Sequence, residues 1–256
     1  MDPRTVRAGH GWTWIVQGYA LFRKSPLNWL ALVLMLLAAM KLLALVSILA
    51  VVFVLLMPIF IVGLMEGCRA LDRGEPLQLT HLACGFRRNA AQLVTIGGIS
   101  LVGNLGVMML IISLGGDAMS TMTTAFAKGA PVTPSPEVQA ASGEVARALL
   151  VGTLVSLPLL MALWYAPLLV YFHDLNPVSA MRSSLYACAK NAPAMFVYGL
   201  LIFAGMFIAM PFAMALRQYD LALWLLAPVV LPSLYASYKD IFLAGSAPEA
   251  GAAPTA

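Results

Sequence analysis

Few side chains in this sequence could do chemistry, and their spacing limits what that chemistry could be. His173 and Asp174 are adjacent. An imidazole beside a carboxylate is the beginning of an acid–base pair, because histidine titrates near neutral pH and a carboxylate can orient its ring. No nucleophile motif, no HExxH pair and no phosphate-cradling glycine loop accompanies them. His10 and His81 are far away in sequence. All three histidines are expected at the cytoplasmic rim, whereas haem ligation calls for a histidine facing inward in mid-span. We therefore expect His173 and Asp174 to be a solvated or helix-end pair. We expect no catalytic residue, no cofactor and no metal site.

The elements that must hold these residues are long apolar runs: Leu27–Met65, Ala90–Leu114, Ala148–Phe172, Ala192–Leu216 and Leu221–Tyr238. Hydrophobic residues make up 61% of the 256 and charged ones 10%, and the mean hydropathy is +0.89. A span needs ~20 apolar residues, more than a core helix of a water-soluble domain requires. The polar stretches between the runs are too short to bury a core of their own. The first run, 39 residues long, would be ~58 Å as one helix, about twice the hydrocarbon thickness. It is expected to fold as a hairpin turning between Lys41 and Ser47. The fold class expected is therefore all-α: a single membrane domain over 1–242, with six transmembrane helices near 28–45, 47–66, 91–115, 147–172, 192–215 and 221–239. The stretch Gly115–Glu144 reads as a loop, and 243–256 as a disordered tail rich in Ala, Pro and Gly. The first run starts too late and runs too long for a cleaved signal.

Eleven of the fifteen Lys and Arg fall on one side of these spans: Arg4, Arg7, Arg23, Lys24, Arg69, Arg73, Arg87, Arg88, Arg182, Lys190 and Lys239. The positive-inside rule then makes both termini cytoplasmic. The net charge of +4 is small and its basic residues are dispersed, which argues against nucleic acid as a partner. Cys68, Cys84 and Cys188 fall on the same reducing side without CxxC spacing, so neither a disulfide nor a zinc site is expected. No charged residue lies at mid-membrane, which argues against an ion-coupled carrier.

Three segments preceding a span look alike. Lys24-Ser25-Pro26, Arg88-Asn89-Ala90 and Lys190-Asn191-Ala192 align, each at the end of a short amphipathic stretch. The apolar faces read as Trp14, Gly18, Leu21 and Phe22; Leu79, Leu82, Ala83 and Phe86; and Val178, Met181, Leu185 and Cys188. Three cytoplasmic interfacial helices are expected, each opening a two-helix hairpin, which is the pattern of a threefold hairpin repeat. Arg23, Lys24, Arg87, Arg88 and Lys190 are then candidate contacts for lipid phosphates. Ser25, Asn89 and Asn191 are candidate caps for the spans that follow. In the third span Gly97, Ser100, Gly103 and Asn104 lie near one face and are candidate helix-packing residues.

Four stretches are distinctive: Gly11–Phe22 (GWTWIVQGYALF), Cys68–Gly74 (CRALDRG), Trp164–Asn191 and Tyr235–Phe242 (YASYKDIF). Together they resemble a family of six-helix inner-membrane proteins of Gram-negative bacteria, known as hypothetical membrane proteins. The likeness extends over nearly the whole chain up to Phe242, although a Gly/Pro turn is usual in that family's first hairpin and Lys41–Ser47 has neither. The resemblance implies a multi-pass protein of the bacterial inner (plasma) membrane and supplies no substrate. Two functions stay open at this level. One is a non-enzymatic membrane or envelope component, with membrane lipids and another membrane protein or a second copy as partners. The other is a carrier or passage for a lipid or small apolar solute.

Overall fold

The computed structural model describes residues 2–43, 45–127, 135–218 and 221–244, and among them there is no β-strand. Among the described residues ten α-helices form: α1 His10–Lys24, α2 Pro26–Leu43, α3 Ser47–Asp72, α4 Cys84–Arg87, α5 Ala90–Ala127, α6 Pro136–Trp164, α7 Ala166–His173, α8 Pro177–Lys190, α9 Ala192–Ala215 and α10 Leu221–Tyr238. A 3-10 turn at Leu79–Ala83 leads into α4, and a π-helical turn at Lys239–Leu243 ends α10. Among the described residues six segments are long and apolar enough to cross a membrane: Pro26–Leu43, Ile48–Asp72, Ala90–Ala125, Pro136–His173, Ala192–Ala215 and Leu221–Leu243.

The first hairpin turns between Leu43 and Ser47, and α9 coincides with its expected span. The largest difference lies in Gly115–Glu144. Much of that stretch is helical, because α5 runs on to Ala127 and α6 begins at Pro136. Gly115 and Gly116 do not end α5, since a glycine costs a helix only ~1 kcal/mol and the residues that follow are compatible with helix. Of the expected disordered tail, 245–256 lies outside the described residues.

The chain forms two compact units. One, Gly98–Met161, is an antiparallel pair of helices held close by small residues. A Cβ at Gly103 would sit 2.5 Å from Leu159 and one at Gly115 2.9 Å from Ala148, and one at Gly152 would collide with Ile111. The other unit, Met1–Gly97 with Ala162–Ala256, carries the polar landmarks. Its core is aromatic: Trp14, Trp29, Tyr165, Tyr198 and Tyr238 are all fully buried. Here α1 lies against α9 and α10. A Cβ at Gly11 would stand 2.6 Å from the Ala194 carbonyl oxygen, and one at Gly18 2.6 Å from Ser233. The 79–87 segment presses on α3 in the same manner: a Cβ added at Gly85 would stand 2.7 Å from Ile59 O, and one at Gly63 2.6 Å from His81 O.

The short elements therefore bury faces differently from the sequence reading. Trp14, Gly18 and Leu21 are buried, but against protein. The outward side of α1 carries exposed Trp12, Val16 and Tyr19. In α8 the buried residues are Ala180, Ser184, Ala187 and Cys188, while Val178, Leu185 and Tyr186 face outward. The physical reason is that small side chains allow backbones to approach closely, so the small-residue face docks and larger apolar groups are left outside.

Candidate functional site

At one end of the larger unit the polar side chains interlock. The sequence encodes this end through helix termini. α3 stops at Asp72 because Gly74, with φ 83°, takes the left-handed position that follows a helix, and Glu75 N–H closes back on Ala70 O at 2.9 Å. Lys24 Nζ donates to the Leu71 carbonyl at 2.9 Å, satisfying another of the carbonyls that a helix end leaves open.

Asp240, in the π-helical turn, is the hub. Its Oδ1 accepts from Arg4 at 2.7 Å, while Oδ2 accepts from Trp14 Nε1 at 2.9 Å and lies 2.7 Å from His10 Nδ1. Asn191 pins the same N-terminal strand of chain: its Oδ1 accepts from Val6 N–H at 2.8 Å and its Nδ2 donates to Arg4 O at 3.0 Å. Lys239 pairs with Asp72 at 2.5 Å. Around that pair lie two clefts. One, of about 460 Å³, includes Gln17, Lys24, Asp72, Tyr235, Lys239 and Asp240 in its lining. The other, of about 370 Å³, includes Arg69, Asp72, Arg73, His173, Tyr238 and Lys239.

His173 and Asp174 are drawn apart. His173 Nε2 lies 2.6 Å from Tyr238 Oη, half-buried beside α10. Asp174, in the left-handed conformation at φ 53°, receives both Arg88 and Asn89 Nδ2, the latter at 2.8 Å. The Arg88 guanidinium, followed by the Asn89 amide, holds the Asp174 carboxyl below the usual carboxylate range. The same hydrogen bond pushes Arg88 up. Each partner stabilises the charged form of the other, so neither is poised to exchange a proton near neutral pH. His81 accepts from Gln78 N–H at 3.0 Å in a local cap. Among the described residues, no group of three or more His, Cys, Asp or Glu is gathered as a metal site would need.

The candidate lipid contacts divide. Arg23 and Arg87 are exposed, with Arg23 lying over the Tyr19 ring at 5.9 Å. Arg88 binds Asp174, Lys24 turns inward to α3, and Lys190 donates to Pro3 O at 2.8 Å and pairs with Asp2 at 3.1 Å. Of the candidate packing residues, Gly97 is packed so closely on Leu55 that an added Cβ would collide with its carbonyl oxygen, and one at Gly103 would meet Leu159. Asn104 instead bonds within its own helix, to Ser100 O at 2.7 Å. The aligned Ser25, Asn89 and Asn191 share a backbone role: the carbonyl of each accepts the first i→i−4 hydrogen bond of the next helix, from the N–H of Trp29, Leu93 and Met195. The side chains of the two asparagines reach out instead to Val170 O and Asp174, and to Val6 and Arg4. Sequence reasoning missed Asp240, because its partners are 226 to 236 positions away and nothing local marks them.

The clefts draw on all four distinctive stretches, through Gln17 and Lys24 (just beyond Phe22), Arg69–Arg73, His173 and Tyr235–Asp240. A probable inner membrane protein of Burkholderia thailandensis is 33% identical to this chain over 254 residues, covering 93% of this chain and 92% of the relative. The chain belongs to that family. Membership agrees with the six membrane-capable helices and makes this a multi-pass helical inner-membrane protein. No family model matches the sequence, and no solved structure matches it.

Proposed function

We propose that this is a non-enzymatic component of the inner membrane that acts as a partner subunit, with both termini in the cytoplasm and the α5–α6 connection outside. One observation carries the reading. α5 is 38 residues long, which is ~57 Å, well beyond a ~30 Å hydrocarbon layer. It continues about twelve residues past its expected exit at 115, and α6 begins about eleven before its expected entry at 147. Each arm thus extends roughly 16–18 Å beyond the bilayer as helix. Those turns are polar outside: Asp117, Ser120, Thr123, Thr124, Gln139 and Glu144 are exposed or half-buried, while Ala118 and Ala141 are buried. A flexible loop would suffice to join two spans. A rigid, register-held pair of helices standing in water is suited to present a surface.

The test is a photo-crosslinker placed at exposed Thr123 or Glu137 in living cells. A discrete protein adduct is expected, with either a second copy of the chain or a different membrane protein. Labelling by water or lipid alone, at both positions, would refute a partner at this hairpin.

A further inference from the structure

The smaller of the two clefts has a chemistry that the partner-subunit reading does not use. We propose that it binds the phosphate-bearing head group of an anionic membrane lipid. Three segments able to cross the membrane end there, at Asp72, His173 and Leu243. Their convergence puts the cleft at the depth where hydrocarbon gives way to head groups.

The lining has the composition that a phosphate needs. Arg69, Arg73 and Lys239 bring three cations and Asp72 one carboxylate, so the cleft keeps an excess of positive charge after the Lys239–Asp72 pair is counted. Arg69, in the last turn of α3, and Arg73, its C-cap, are four residues apart and so lie on one side of the helix end. The Arg69 guanidinium is held 5.3 Å over the Phe172 ring, which presets its plane. Its Glu66 contact is long, at 3.5 Å. Planar, fixed guanidinium groups are matched to the two oxygens of a phosphate. The Tyr238–His173 pair adds a hydroxyl and an imidazole to the same wall. Phe172, Tyr235 and Leu243 supply apolar surface for the start of the acyl chains. The wall also contains the π-helical turn Lys239–Leu243, an irregularity frequent at functional sites. A competing account is that the two arginines simply favour the negative end of α3, which needs no ligand.

The experiment uses the purified full-length protein in mild detergent and counts retained lipid by native mass spectrometry. Phosphatidylglycerol is compared with diacylglycerol, which lacks the phosphate. Arg69→Gln/Arg73→Gln is compared with the exposed pair Arg7→Gln/Arg182→Gln, which removes equal charge. Neutralising one basic contact weakens anionic-lipid attraction about fivefold, so the cleft pair is expected to lose roughly twenty- to thirtyfold in phosphatidylglycerol retention. The surface pair is expected to lose at least five times less, and Arg69→Lys should lose affinity although it keeps the charge. Equal losses in the two pairs, or equal retention of diacylglycerol, would overturn the site. Competition by soluble glycerol phosphate as strong as by the lipid would overturn the lipid as its occupant. Unchanged thermal midpoints in the cleft variants show that a loss is not unfolding.

Discussion

Replacing Gly18 by alanine tests the central packing claim, that α1 is a docked structural helix. Alanine is the better helix former by ~1 kcal/mol, so an α1 lying on lipid would be stabilised by the change. In the structure the added Cβ would stand 2.6 Å from both the Cβ and the backbone N of Ser233, and 2.7 Å from its Cα. No rotamer can relieve contacts with backbone, so α1 and α10 must separate. Overpacking of this kind costs ~1–3 kcal/mol, and the upper part of that range outweighs the helix gain. The separation would also disturb the bond between Tyr198 Oη and Ser233 Oγ, 2.6 Å long in a buried position. We expect a net loss of about 1–2 kcal/mol, which is a fall of roughly 3–6 °C in the unfolding midpoint for a chain of this size. The matched control is Gly143→Ala, a helical position where an added Cβ meets nothing within 4 Å; it should hold or raise the midpoint. A thiol-reactive dye can follow unfolding, because Cys68 and Cys188 are buried. A midpoint for Gly18→Ala that rises along with that for Gly143→Ala would refute the docking of α1.

Three further outcomes follow from the same geometry. A reporter active only outside the cytoplasm should be active when fused after Ala130 and silent after Pro248, and the opposite pattern would reverse the proposed orientation. Cys188, which burial pushes up to about 12, should carry only about one thiolate in ten thousand at pH 8; in a Cys84→Ser background, which removes the partly exposed thiol, maleimide should therefore label Cys188 only after unfolding, and its rapid labelling in the native protein would contradict its burial. The Asp174 carboxyl is held below its usual value in the folded state, so its contribution should be present above the ordinary carboxylate range and lost as pH falls through the depressed folded value. Asp174→Asn should therefore lower the midpoint slightly at neutral pH and converge on the parent protein in acid, whereas a gap that widens in acid would be inconsistent with the Arg88 contact.

The sequence by itself determined the six spans. Membrane crossing depends on a local sum of side-chain hydropathy over ~20 residues, and no distant residue can cancel it. That is why Ala192–Ala215 and the turn between Leu43 and Ser47 were legible without coordinates. Local punctuation was legible too: Ser25, Asn89 and Asn191 each stand where one helix gives way to the next. Tertiary structure alone decided which partner each polar group took. His173 and Asp174 are neighbours in the chain, yet one turns to Tyr238 and the other to Arg88 and Asn89, because the left-handed backbone at Asp174 sends the two side chains apart. The inward face of α1 was likewise settled by α9 and α10, whose backbones approach only where Gly11 and Gly18 leave room. Asp240 gained its role from Arg4, His10 and Trp14, which folding brings to it from the other end of the sequence.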